Sequence, residues 1–229
     1  MTTSARETVF ASIRRALGVT GAEATRRAAV AERLREHPRG VIPARGQLPA
    51  AERVKLFVRM VEAANGSAEI LKSSDEVPAA IAALLRRHNL PMQVRRGDDP
   101  RLAALPWDKE RQLEVTTGAS DGRQLVSVSH AFGGVAETGT LVMTSGTDNP
   151  TTLNFLPDTH VVVLRAKDVA GDYETVWARV RDAFGTDALP RSINLITGPS
   201  RSADIAQILI LGAHGPRRLH VLVVDEADG

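Results

Sequence analysis

The chain has 229 residues, 43% of them apolar and 24% charged, enough for one large soluble domain or a domain with an appendage. It contains no cysteine, which excludes disulfides and any all-thiolate zinc or iron–sulfur site within this chain. The net charge of +2 conceals an asymmetry: residues 1–60 hold 12 Lys and Arg against 5 Asp and Glu, a net +7, and the remainder holds 17 against 22, a net −5.

The basic first quarter reads either as a solvated arm or as a contact for an acidic partner or nucleic acid. No zinc-finger, RRM-like or basic-zipper pattern accompanies it, so nucleic acid is not expected as a partner. No run of about 18 apolar residues exists, so no membrane span is expected. Met1 to Leu17 is amphipathic and charged, without the apolar core of a signal peptide, and a cytoplasmic location is expected.

Ser4 to Leu17 reads as a helix, with Ser4 and Glu7 spaced as a capping box, Val9, Ile13, Ala16 and Leu17 on one face, and Gly18 at its end. A second, Ala- and Arg-rich helix is expected over Ala22 to Glu36. His37 to Pro49 holds three prolines and two glycines and reads as a linker. Residues 1–49 are therefore expected to form a helical arm and linker, and residues 50–229 one α/β domain.

That domain opens with a helix over Ala51 to Ala64, closed by Asn65–Gly66, and a strand over Ser67 to Leu71. Asp75 to His88 is a helix, Met92 to Arg95 a strand, Pro100 to Trp107 a turn or short helix, and Leu113 to Thr116 a strand. Leu125 to Ser129 alternates apolar and small polar residues, and Leu141 to Thr144 follows as a strand. The residues between these two are fewer than the roughly dozen of a parallel crossover, so they are expected as antiparallel neighbours. His160 to Leu164 is a wholly apolar strand, Asp172 to Phe184 a helix, Ile193 to Thr197 a strand. A helix from Ser202 to Leu211, a turn over Gly212 to Pro216 and a strand over Leu219 to Val224 complete the pattern. Strand–helix alternation of this kind predicts a largely parallel sheet with helices on both faces.

Two stretches could carry chemistry. The first is Ala136–Glu137–Thr138–Gly139–Thr140, expected at the carboxyl end of the Leu125–Ser129 strand, where open α/β sheets bind ligands. Glu137 could act as general base or nucleophile, or be a solvated or capping carboxylate. Thr138 and Thr140 could bond a ligand or serve β-structure alone, and Ser145 opens a loop rich in polar donors. The second is Gly198–Pro199–Ser200–Arg201–Ser202, expected at a helix start. Free backbone N–H groups, the Ser200 and Ser202 hydroxyls and the Arg201 guanidinium could hold an anion there, or the serines could simply cap the helix. The six histidines show no metal-binding spacing, and neither a Gly-x-Ser-x-Gly elbow nor a nucleotide loop is present.

Four motifs in order carry a family resemblance: Val135 to Val142, Leu153 to Val163, Ile196 to Ile205, and Leu211 to Pro216. Together they resemble the lactate-utilisation protein C family, the LUD domain, over about residues 50–225. The resemblance implies a NagB/RpiA/CoA-transferase-like α/β fold. It implies a subunit of a three-component, iron–sulfur-dependent system that oxidises L-lactate to pyruvate, with the clusters in cysteine-rich partner chains and none here. Glu137, Thr138, Ser200 and Arg201 are then expected to line a site for a small carboxylate or other anion. Many members of that family have an acidic and an aromatic residue where this chain has Phe132 and Gly133, so any task of that acid is absent here. Glu137-x-Gly139 also resembles the Glu-x-Gly of CoA transferases, an analogy at the level of fold. The alternative it leaves open is a free-standing enzyme on a sugar phosphate or acyl-CoA, with Glu137 as base or nucleophile.

Overall fold

The computed structural model of the chain describes residues 4–185, 188–203 and 209–226. The chain divides into two units on either side of Val41 and Ile42.

The first unit holds α1 (Ala5–Leu17) and α2 (Ala24–Glu36). The expected capping box is present: the Ser4 hydroxyl accepts from the Glu7 N–H at 3.2 Å and the Ser4 N–H donates to Glu7 Oε2 at 2.9 Å. Gly18 ends α1 in the left-handed conformation. The Glu23 carboxylate accepts from the Thr20 and Gly21 N–H groups, and these bonds draw its pKa down to about 2. Neither helix contains a buried residue.

The second unit begins with a strap, residues 42–49, and α3 (Ala50–Ala63). Then follow β1 (Ser67–Leu71), α4 (Val77–Arg87), β2 (Gln93–Arg96), α5 (Pro100–Ala103), β3 (Glu114–Thr117) and β4 (Val126–His130). A short β5 (Gly133–Val135) and β6 (Thr140–Thr144) precede α6 (Thr151–Phe155), β7 (Thr159–Arg165), β8 (Val169–Ala170) and α7 (Tyr173–Phe184). β9 (Ile193–Ile196), β10 (Arg201–Ala203), β11 (Leu209–Leu211) and β12 (Arg218–Val224) complete it.

Six strands form one sheet in the order β1-β12-β7-β4-β2-β3, every pair parallel. A smaller sheet, β8-β5-β6-β9, is mixed. Alternation along the central strands sorts two cores. Val161 and Val163 of β7 and Leu222 and Val224 of β12 pack with Ile81 and Leu85 of α4. Val162 and Leu164, with Val221 and Val223, pack on the opposite face with Phe57 and Val61 of α3 and with Leu141 and Met143 of the small sheet. The far face of the small sheet packs on α7 through Val135, Val142, Val176 and Val180. The layers are α4, parallel sheet, α3 with the small sheet, and α7.

Two expectations are corrected. Strands β4 and β6 are not antiparallel neighbours: β4 lies inside the parallel sheet, and β6 pairs with β5, a strand too short and glycine-rich to show a period. Although apolar and small polar residues alternate in β4, all five residues are buried. Ser127 donates to the Leu153 carbonyl at 2.6 Å and Ser129 to Asn154 Oδ1 at 3.4 Å, so α6 satisfies the hydroxyls. The expected helix after Gly198 is absent at both its ends: Arg201 to Ala203 and Leu209 to Leu211 form an antiparallel pair, and residues 204–208 lie outside the described residues. The apolar run there suits either structure by composition alone.

Three histidines are buried in this unit, and burial holds them neutral: His130 and His220 are lowered to about 4 and His160 to about 3. The unfolded chain takes up these protons near pH 6.5, before the folded chain does. Stability is therefore full above about pH 6.5 and declines as pH falls towards the folded values, each group contributing about 1.4 kcal/mol per pH unit in that window. Urea denaturation between pH 7.5 and 4.5 is expected to show a falling midpoint with proton uptake on unfolding approaching three. A flat profile would contradict the neutral assignments.

Candidate functional site

Glu137 sits in the turn between β5 and β6, not at the end of β4. Beyond β5 the chain stays alongside β8: the Ala136 N–H donates to the Ala170 carbonyl at 2.8 Å and the Glu137 N–H to Gly171 at 3.3 Å. The Gly139 N–H returns to the Val135 carbonyl at 2.9 Å, and Gly139 has φ +67°. The Glu137 side chain is only 5% exposed, and its ion pair is with Arg45 Nε of the strap at 3.8 Å, too long for a hydrogen bond. The strap is held there by backbone contact between Gly46 and Gly171, where a Cβ on either would overlap the other's carbonyl oxygen. Gln47 adds a 2.9 Å bond to Asp172 Oδ2, whose other oxygen caps α7 at the Thr175 N–H.

Thr138 and Thr140 belong to a hydroxyl cluster with Tyr173 and Thr197. Thr140 Oγ1 lies 2.7 Å from Thr138 Oγ1, 2.7 Å from Tyr173 Oη and 2.6 Å from Thr197 Oγ1. One donor and two acceptors are all a hydroxyl has, so Thr140 is fully used within the protein. Thr138, half-buried, is the ligand-facing candidate of the pair. Gly198 joins the same region from the end of β9 with φ +72°, its backbone against the Ala64 carbonyl after α3.

The other expected residues lie elsewhere or do other work. Ser145 bonds reciprocally with Ser192, at 3.0 and 2.9 Å, and closes the far end of β6. It is five residues from Thr140 along a strand, roughly 17 Å from the Glu137 turn. Ser200 is fixed through its backbone: its N–H donates to the Pro216 carbonyl and its carbonyl accepts from the Gly212 N–H. Arg201 is exposed and Ser202 half-buried at the start of β10, so no helix N-terminus assists them.

A second place was not anticipated. In the parallel sheet, β3 lies outward of β2 on one side, whereas β4, β7 and β12 progress towards the other. The order reverses between β2 and β4, and the carboxyl edge at such a reversal is where α/β sheets bind ligands. A cavity of about 190 Å³ lies on this edge beside the reversal, over the ends of β4, β7 and β12, lined among others by Ser74, Arg101, Leu102, His130, Arg165 and Glu226. His130 ends β4, Arg165 ends β7, and Arg101 follows β2 on α5.

Each guanidinium is fixed from behind. Asp99, 1% exposed, caps the Arg101 N–H at 2.8 Å and receives Arg101 Nε at 2.9 Å. Burial works to raise the Asp99 carboxyl, but the hydrogen bonds and charge of Arg101 outweigh it and hold the group below its ordinary value. Arg165 Nε donates to Asp168 Oδ2 at 2.6 Å. His130 Nδ1 lies 2.8 Å from the Ala131 carbonyl. A carbonyl only accepts, so Nδ1 carries the proton and Nε2 of the neutral ring is bare. Burial, then the Arg101 charge, keeps this ring neutral. Glu226 accepts from the Ser74 N–H at 2.8 Å. The arrangement offers guanidinium donors, a hydroxyl and a bare imidazole nitrogen to something small. A signal was present in the sequence: His130 and Arg165 each stand directly after a stretch that reads as a strand, Leu125–Ser129 and His160–Leu164.

The model of the LUD domain matches residues 54–224. Lactate utilization protein C of Geobacillus thermodenitrificans is 34% identical over 146 residues, 56% of this chain and 61% of that protein. The protein of the same name from Anoxybacillus flavithermus is 26% identical over 174 residues, 74% of this chain and 69% of its own. The match to the Geobacillus protein thus spans less than two thirds of that relative's length. A DUF162 family protein of Deinococcus radiodurans, known as a crystal structure, superposes with a TM-score of 0.54 at 23% identity, covering 77% of this chain and 99% of that one, a likeness of fold.

At Gly139 an added Cβ would lie 2.5 Å from the Val61 nitrogen and 2.6 Å from the Met60 carbonyl carbon. Gly139→Ala is expected to destabilise the larger unit by more than the ~1–3 kcal/mol of the left-handed backbone alone. Urea unfolding at pH 7.5 measures this. A loss below about 1 kcal/mol would show that α3 yields at this contact.

Proposed function

The chain belongs to the LUD domain family, and on that premise we propose that it serves lactate utilisation as a small-carboxylate-binding subunit of a system that oxidises L-lactate to pyruvate. The observation that carries the binding half is the cavity at the carboxyl edge of the parallel sheet, with Arg101, Arg165 and His130 on its wall. Guanidinium groups recognise carboxylates in bidentate fashion, and a carboxylate between two of them is favoured by charge on both sides. The size fits a small acid: about 190 Å³ lies below the roughly 300–1,000 Å³ of pockets that hold drug-sized ligands.

Electron transfer in such a system would belong to partner chains. This chain offers no thiolate, and its described residues contain no group of three His, Asp or Glu able to hold a metal. Iron–sulfur clusters would be held by cysteine-rich proteins, with this subunit presenting or positioning the acid. The described residues contain no helix long and apolar enough to cross a membrane.

A second reading rests on Glu137. A buried carboxylate whose ion pair is 3.8 Å long keeps lone pairs available, beside the half-buried Thr138. As base or nucleophile it would make the chain a free-standing enzyme on a sugar phosphate or acyl-CoA. Glu137→Gln would then abolish turnover in assays of acyl-CoA transfer or sugar-phosphate isomerisation, and absence of any wild-type turnover on those substrates ends this reading.

Calorimetric titration of L-lactate tests the first. Arg165→Gln should weaken binding about tenfold or more, the loss of a hydrogen bond to a charged group. Arg201→Ala, the grip expected from the sequence, should leave it unchanged; the reverse pattern would move the carboxylate to the β10 hairpin. Capture of the tagged chain from its native host should bring down iron and cysteine-rich proteins, and recovery of the chain alone would count against the subunit role.

A further inference from the structure

The walls of the carboxyl-edge cavity differ in what they can give. Arg101 and Arg165 only donate hydrogen bonds. They are backed by Asp99 and Asp168, which fix the direction of each guanidinium. Glu226, after β12, only accepts, and it carries negative charge. A ligand carboxylate is therefore driven towards the two guanidinium groups and away from Glu226.

His130 is the third kind of group. It is 6% exposed, and its Nδ1 proton is committed to the Ala131 carbonyl at 2.8 Å. Among the described residues, the charges that act on it are Arg101 and Asp99, from α5 and the residue before it, and Arg165 from β7, and Glu226 from beyond β12 lines the same cavity. His130 lines the cavity, and with its one proton on Nδ1 the neutral ring has only the Nε2 lone pair to give a ligand. A ligand atom opposite Nε2 must bring its own hydrogen.

Resting on the carboxylate-binding reading above, we infer that this cavity selects a 2-hydroxy acid over the 2-oxo acid of the same skeleton, with Arg101 and Arg165 receiving the carboxylate and His130 Nε2 accepting the hydroxyl proton in a hydrogen bond. The hydroxyl of a 2-hydroxy acid is attached one carbon from the carboxylate, so one small ligand can offer both groups to the guanidinium and imidazole side chains that line the same cavity. A keto oxygen at that place has only lone pairs. It would face the Nε2 lone pair with neither group satisfied, and sites built around one hydrogen bond discriminate strongly against a group that cannot form it. An acid with no oxygen there leaves Nε2 unpaired and loses the same bond. The subunit would thus engage the reduced partner of the couple and let the oxidised one go.

The test is calorimetric titration of L-lactate, pyruvate and propionate, at pH 7.5, into the full chain and two variants. The wild type should bind L-lactate at least tenfold more tightly than either of the others. His130→Leu removes the acceptor while keeping the site filled and apolar, and should bring the three affinities within about twofold. Arg165→Gln should weaken all three together and keep their ratio. Unchanged thermal melts confirm that the variants are folded, and His130→Gln, which supplies a donor as well as an acceptor, provides a second probe in which the preference for L-lactate should shrink. Equal binding of the three acids by the wild type, or a ratio untouched by His130→Leu, would overturn the hydroxyl selection while leaving the carboxylate reading in place. Binding of none of the three would overturn both.

Discussion

The fit of α3 between the two sheets is the constraint on which the larger unit depends. Phe57 and Val61 of this helix are fully buried against the parallel sheet and the small sheet together, each such side chain contributing about 1.5–3 kcal/mol. The last turn of the helix is then met by bare backbone from two sides, at Gly139 and at Gly198. Side chains at either place would push the small sheet outward and open the core beneath it. The position of Glu137, one residue from Thr138 and two from Gly139, follows from that contact and not from the end of β4. The strap brings Arg45 to the same carboxylate by the same device, glycine backbone against glycine backbone at Gly46 and Gly171.

The carboxyl edge of the parallel sheet is organised by a different physics. Its apolar strands end in charged or titratable residues, because there the chain leaves the core and polar groups regain space. Arg101 and Arg165, each about two-fifths exposed, are charged at any pH of interest, and each carries its own carboxylate, Asp99 and Asp168, so each is a neutralised pair with donors left over. His130 takes the other course and stays neutral. The result is a polar cavity without an unpaired buried charge.

Much of the fold could be read from the sequence where the period was long. The helices over 5–17, 50–63, 77–87 and 173–184, and the apolar strands β7 and β12, follow from amphipathic spacing and caps. What was illegible has a common cause: short elements whose pairing depends on distant chain. Strand β5 is three residues with two glycines, and β10 and β11 are three residues each. Local propensity has no purchase on such segments, so β4 and β6 were paired with each other and a helix was expected over Ser202 to Leu211. At the site, the sequence groups Glu137 and Thr138 with Ser200 and Arg201, whereas in the structure the Glu137–Thr140 turn and Gly198 lie near the end of α3 and Ser200 is tied to Gly212 and Pro216. Arg45 and Tyr173 were not recognisable, because one lies in a proline-rich stretch that looks like a linker and the other reads as helix core. The cavity residues Arg101, His130 and Arg165 come from three separate segments, and only the strand order brings them together.

That strand order also governs how the protein is made. Among the described residues, strand β1 pairs only with β12, and β12 lies between β1 and β7. When β1 leaves the ribosome its sole partner is still roughly 150 residues from synthesis, about 10–30 s at ordinary elongation rates. During that interval the nascent chain presents two unpaired edges, at β1 and at β7, both rich in apolar side chains. The parallel sheet is therefore completed late, by insertion of one strand into a waiting gap. Strand β12 is thus the segment that joins β1 to the rest of the parallel sheet, and its absence would leave both flanking strands with an open edge.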